Sequence, residues 1–176
     1  MEKVSGIEYG KFLKINILSP LEMNSTFTLT PKNITPKRTT SYYKNDDGGI
    51  IINTWRVVDF GPLYNDIGTT LSDFAKYDIA INTNKLLKSD TYKIMWSPFI
   101  LNNGAQISRF EHGPTLYWAD ASYGYGWFVQ KFRNHRIIYH GGWTGTSITK
   151  LPDDGVTIIL FTNLTGGFDP DASMKM

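Results

Sequence analysis

The chain has 176 residues, 41% hydrophobic and 19% charged, which suits one ordinary globular domain with an apolar core and excludes a disordered polymer. Its 18 basic and 16 acidic residues leave a formal charge of +2, too small and too scattered to imply nucleic acid as a partner. Cysteine is absent, which excludes disulfides, thiolate metal sites and a cysteine nucleophile, and no apolar run approaches the roughly 20 residues that span a bilayer.

In chain order, Met1 to Lys14 is amphipathic and lacks the apolar stretch of a secretion signal, so as written the chain is expected to stay in the cytoplasm. Ser5-Gly-Ile-Glu8 has capping-box spacing and predicts a helix carrying Ile7, Phe12, Leu13, Ile17 and Leu18, ended by Pro20. Residues 24 to 50 are polar, with Pro31, Pro36 and Asn45-Asp-Asp-Gly-Gly49, and read as a long loop or irregular insert. The basic residues from Lys32 to Lys44 are expected to be a solvated part of it. A second helix is predicted over Leu71 to Ile81, with Leu71, Phe74, Ala75 and Ile79 on one face and Thr70 and Asp73 again at capping-box spacing. A third runs from Asp90 to Trp96, closed by Ser97-Pro98, and residues 97 to 120 show no period.

From there the chain turns aromatic and β-branched in four runs: Tyr123 to Phe132, Arg136 to Tyr139, Thr146 to Leu151 and Val156 to Thr162. Arg133-Asn134 and Pro152-Asp-Asp-Gly155 are turn signals between them, so these runs predict an antiparallel meander. Val156 to Phe161 is apolar almost throughout, which predicts burial of both its faces. Tyr123, Tyr125 and Trp127 alternate and would make one strand face aromatic. His112 and His135 stand alone near turns and receive no role. No histidine–carboxylate group has metal-ligand spacing, so no metal or other cofactor is expected.

Tyr123-Gly-Tyr-Gly-Trp127, His140-Gly-Gly-Trp-Thr-Gly145 and Leu151-Pro-Asp-Asp-Gly-Val-Thr-Ile-Ile-Leu-Phe-Thr-Asn163 together resemble the last part of a serine β-lactamase or penicillin-binding-protein-type hydrolase. Upstream, Glu2-Lys-Val-Ser-Gly6 followed by Phe12 and Pro20-Leu-Glu-Met-Asn-Ser-Thr26 is similar to a family helix leading into a Pro-Leu-Gly-Met-x-x-Thr turn. Gly68-Thr-Thr-Leu-Ser-Asp-Phe74, Lys85-Leu-Leu-Lys88 and Met95-Trp-Ser-Pro98 continue the resemblance in the same order. The family is organised around Ser-x-x-Lys, Tyr-x-Asn or Ser-x-Asn, and Lys-Thr-Gly or its His-x-Gly variant. Only the third motif has a counterpart here, His140-Gly141-Gly142.

The resemblance implies an α+β fold: a C-terminal fragment of the β-lactamase/transpeptidase-like architecture, with a helical region and a three-stranded antiparallel meander. By it, residues 1–120 would be the remnant of the helical and loop region, 121–165 the strands of the main sheet, and 166–176 a tail. It implies that His140, Gly142 and Trp143 belong to the catalytic wall. Gly142 would admit substrate to the backbone, and the Trp143 N–H would be one of two donors to the acyl oxygen, worth about 3 kcal/mol. Tyr125, Gly141 and Thr144 would contact the substrate, a small molecule or peptide carrying the acyl group.

Ser41-Tyr-Tyr-Lys44 and Ser147-Ile-Thr-Lys150 fit the nucleophile motif on paper, but the motif needs a helix, where residues three apart share a face. Ser41 lies in a loop, and Ser147 with Lys150 falls on a predicted strand, where odd spacing points side chains apart. The chain is therefore expected to lack the nucleophile and to be inactive alone, with a complementary N-terminal fragment as a partner. The alternatives are a non-catalytic peptide-binding module and a product of an interrupted gene. The parent family is often periplasmic or secreted.

Overall fold

The computed structural model describes residues 1–29, 38–53, 67–106, 121–142 and 145–165. They fall into two compact units, Met1–Arg38 with Thr54–Lys88 and Thr39–Asn53 with Ser89–Met176.

The first unit opens with α1 (Glu2–Ser5), which stops where Gly6 turns left-handed at φ 67. Ser5 thus ends a helix where its spacing predicted a start, and its hydroxyl accepts the Ile7 N–H at 3.2 Å. The next cap is Glu8. Its carboxylate accepts from Gly10 N–H at 2.9 Å and Lys11 N–H at 3.0 Å, and those bonds hold it below the usual carboxylate range. α2 (Tyr9–Leu13) runs straight into a π-helical turn, Lys14–Leu18. In the turn that follows, Glu22 is left-handed at φ 56, which accounts physically for glycine in the pattern this stretch resembles.

Strand β1 (Phe27–Thr28) pairs antiparallel with β4 (Ile67–Gly68), and α3 (Leu71–Asn82) follows with Thr70 as its cap, accepting the Asp73 N–H at 3.2 Å. The Asp73 carboxylate does not complete the box. Buried at 3% exposure, it accepts from Ser25 N–H at 2.7 Å, Thr26 Oγ1 at 3.0 Å and Lys76 Nζ at 3.0 Å. Burial pushes this carboxyl up, but the bonds from Lys76, Ser25 and Thr26 and the Lys76 charge outweigh it and leave it below its ordinary value. One carboxylate therefore ties α3 to the turn at Ser25–Thr26. That anchor also sets which face of α3 is covered. Tyr77, Ala80 and Ile81 turn inward, Tyr77 and Ala80 against Leu21 and Met23, while Leu71 and Ile79, expected inside, are exposed.

In the second unit, β2 (Tyr42–Lys44) and β3 (Ile50–Ile52) form a hairpin in part of the stretch expected to be irregular, and β10 (Leu164–Thr165) pairs parallel with β2. α4 (Ser89–Met95) matches its predicted position within a residue at each end. The main sheet is wholly antiparallel in the order β5 (Ser122–Tyr123), β6 (Phe128–Phe132), β7 (His135–Gly141), β8 (Ser147–Leu151) and β9 (Val156–Leu160). Among the described residues it has five strands, two more than the three-stranded meander expected. The run Tyr123 to Phe132 is not one strand, because it folds back at once: Gly124 N–H donates to the Trp127 carbonyl at 2.8 Å and Gly126 has φ 80. Arg133 and Asn134 form the expected tight turn, with φ 45 and 72.

Ala121, Ile137 and Tyr139 make a buried cluster of this unit, with Phe128 and Leu151 packed on it. β7 and β8 carry buried side chains at successive positions, so both faces of the sheet are covered there. The same was expected of β9, but among the described residues it is the outer strand, with Val156 and Leu160 exposed.

Candidate functional site

The end of β7 is where the sequence places the chemistry. His140 lies opposite Ile148 and Gly141 opposite Ser147, so the strand is fully paired up to Gly141. His140 Nδ1 stands 2.8 Å from the Gly141 carbonyl, and its Nε2 stands 3.1 Å from Tyr123 Oη. A carbonyl can only accept, so Nδ1 carries a proton in that pair. Burial pushes the Tyr123 phenol above its ordinary value, which leaves it an O–H donor at neutral pH. Phe128 lies nearly parallel to the imidazole, at 5.4 Å and 27°, and Tyr123 meets it edge-on at 6.1 Å.

Beyond His140 the backbone is bare and exposed at Gly141 and Gly142. Gly142 N–H donates to the Thr146 carbonyl at 2.7 Å, and Gly145 N–H returns to the Gly142 carbonyl at 3.1 Å. The fold itself demands glycine at two of these positions. A Cβ on Gly142 would collide with the Thr146 hydroxyl; one on Gly145, at φ 84, would collide with Thr162 Oγ1 and stand 2.8 Å from the Leu164 carbonyl. Gly141 is under no such constraint from the described residues, among which a Cβ there would meet only the Thr146 carbonyl, at 3.6 Å.

Of the residues singled out from sequence, His140, Gly141 and Gly142 are thus contiguous at one strand end. Trp143 and Thr144 lie outside the described residues, as does His112. Tyr125 sits at the tip of the β5–β6 turn, exposed, its ring edge-on to Phe99 at 5.6 Å. His135 is paired after all, with Nδ1 2.8 Å from the Asp154 carboxylate. Sequence reasoning missed Tyr123 as the partner of His140. Its aromatic alternation was visible, but the contact depends on the registers Tyr123↔Phe128↔Tyr139, which only folded strands define.

The two serine–lysine pairs are also located. Ser147 pairs with Gly141 and Leu160, Lys150 with Ile138 and Thr157, and alternation along β8 sends their side chains to opposite faces. Lys150, almost fully buried, donates to Thr157 Oγ1 at 3.1 Å and lies 6.0 Å from the centre of the Trp96 ring. Ser41 precedes β2 and Lys44 closes it, so that pair is on no helix either.

A family model for the beta-lactamases matches residues 1–176. The chain belongs to the beta-lactamase family. A penicillin-binding protein of Bacillus subtilis (strain 168) is 27% identical to it over 93% of this chain and 36% of that protein. Among solved structures, a penicillin binding protein from Bacillus halodurans has a TM-score of 0.71 at 17% identity, covering 99% of this chain and 51% of that one. Simvastatin synthase from Aspergillus terreus reaches 0.75 at 18% identity, covering 93% and 46%. At these identities the structures speak for the fold alone. They fit its mixed helical and antiparallel-sheet character. The chain spans about a third of the length of the curated relative, 36%, and about half of these two solved ones.

Proposed function

We propose that this chain is the C-terminal part of a β-lactamase-related serine hydrolase and forms one wall of a site that transfers an acyl group from an amide, ester or β-lactam. The observation that carries the reading is the end of β7: a histidine with both ring nitrogens engaged, followed by exposed, side-chain-free backbone at Gly141 and Gly142. Bare backbone allows close approach of a substrate, and the Trp143 N–H that follows would donate to the developing oxyanion. Thr144 and Tyr125 would contact the remainder of the substrate. The serine nucleophile would come from a segment outside these 176 residues, a complementary N-terminal piece. Neither serine–lysine pair within the chain replaces it, because neither stands on a helix and Ser147 and Lys150 leave opposite faces of β8.

The experiment is labelling with a penicillin or a fluorophosphonate, read as intact mass. The 176-residue chain alone is expected to stay unmodified, and the same chain joined by a complementary segment carrying Ser-x-x-Lys is expected to take one adduct on that serine. A stoichiometric adduct on Ser41 or Ser147 of the chain alone would overturn the reading. A non-catalytic binding role has one observation in its favour, the exposed Phe99–Tyr125 pair at 5.6 Å, an aromatic surface that an apolar acyl peptide could cover. It predicts saturable peptide binding by the chain alone, lost in Tyr125→Ala.

A further inference from the structure

We propose that Tyr123 is a positioning residue: it fixes the His140 ring so that the ring clamps the Gly141–Gly142 peptide plane. The clamp stands on geometry; its importance for acyl transfer rests on the reading of β7 given above.

The Gly141 carbonyl and the Gly142 N–H belong to one planar peptide group. Its carbonyl is held from one side by His140 Nδ1–H at 2.8 Å, and its N–H from the other by the Thr146 carbonyl at 2.7 Å. Two successive glycines are the most freely rotating backbone a strand end can have, so a site built on them needs restraint from outside. The imidazole supplies it only while Nδ1 keeps the proton. The Gly141 carbonyl can only accept, so in this pose the proton is on Nδ1, and a neutral ring then offers Nε2 as an acceptor. The Tyr123 hydroxyl, 3.1 Å away, fills that place by donating to Nε2, and so favours the tautomer the carbonyl needs.

The ring has little freedom to leave this pose. Phe128 stacks on it at 5.4 Å, and Phe128 is itself held by Tyr139 at 5.1 Å and Tyr123 at 4.8 Å. Tyr123 reaches His140 from β5 across the intervening strand β6, so the bond joins two strands that are not neighbours in the sheet. Both ring nitrogens are thus engaged by groups of the chain itself.

The test is nitrogen-15 NMR of the full 176-residue chain labelled at histidine, together with amide exchange at Gly142. His140 is expected to show a protonated Nδ1 and an unprotonated Nε2. Tyr123→Phe, which keeps the ring and removes the donor, should move His140 toward the mixed tautomers of free imidazole and speed Gly142 exchange about fivefold, the effect of losing one ordinary hydrogen bond. His140→Asn places an N–H near the position of Nδ1 and should keep Gly142 exchange close to wild type, whereas His140→Gln should not. Finding the proton on Nε2 in the wild-type chain overturns the proposal without any variant. So does a Tyr123→Phe chain whose tautomer and Gly142 exchange match wild type. Failure of the acyl-transfer reading would leave these spectra unchanged, so the two ideas fail separately.

Discussion

Replacing Asp73 by Asn should loosen the first unit and remove this carboxylate's share of its acid sensitivity. The carboxylate accepts three hydrogen bonds, from Ser25 N–H, Thr26 Oγ1 and Lys76 Nζ, at 2.7 to 3.0 Å, in a side chain that is almost wholly buried. Asparagine has the same shape but keeps a single accepting oxygen, and its NH2 must face at least one donor. Bonds to a charged group are worth about 1.5–3 kcal/mol each and are not additive, so about 3 kcal/mol is the expected loss at neutral pH. For a chain of this size that is a fall in Tm of about 6–12 °C. The dependence on pH follows from the direction of the shift. Asp73 titrates below its ordinary value of 3.8, so its contribution is complete above that value and disappears as pH falls through the lower folded one. Thermal melts of wild type and Asp73→Asn should therefore differ fully above the ordinary value of 3.8 and converge as pH falls below it. A gap smaller than about 1 kcal/mol at pH 7, or one that persists unchanged into acid, would refute the role given to this carboxylate.

The glycines of the β7–β8 turn should separate in urea titrations: Gly145→Ala is expected to cost about 2–4 kcal/mol because the new Cβ meets Thr162 and the backbone is left-handed, and Gly142→Ala about 1–3. Gly141→Ala should stay within about 0.5 kcal/mol, and a cost like that of Gly145 would show the space around Gly141 to be misread. Glu22→Gly should gain about 0.5 kcal/mol, the relief of a φ of 56 minus the added freedom of the unfolded chain, and a loss in calorimetry would count against strain there. Strand β9, outermost among the described residues, free of charge and proline and with Val156 and Leu160 exposed, should make the chain self-associate in light scattering, and Leu160→Lys should suppress it. A monodisperse wild-type monomer with protected β9 amides would sink that expectation.

What the sequence yielded and what it withheld divide along sequence distance. α3, α4, the Arg133-Asn134 turn and the pairing of β6 to β9 were legible because each is set by neighbours a few residues apart. The buried face of α3 was misjudged because a carboxylate bonded 48 residues away, to Ser25, overrides the helix's own apolar stripe. Tyr123 to Phe132 looked continuous because Tyr-Gly-Tyr-Gly-Trp keeps a period of two straight through a tight turn. Most instructive is Gly142. Read from sequence, its missing side chain made room for a substrate; in the fold the same space is claimed by the Thr146 hydroxyl. A glycine that both packing and approach require looks identical in sequence to one that either alone requires. Gly141 is where the two demands come apart, since nothing among the described residues needs it bare. An effect of Gly141→Ala on acyl transfer without an effect on stability would therefore speak for the substrate alone.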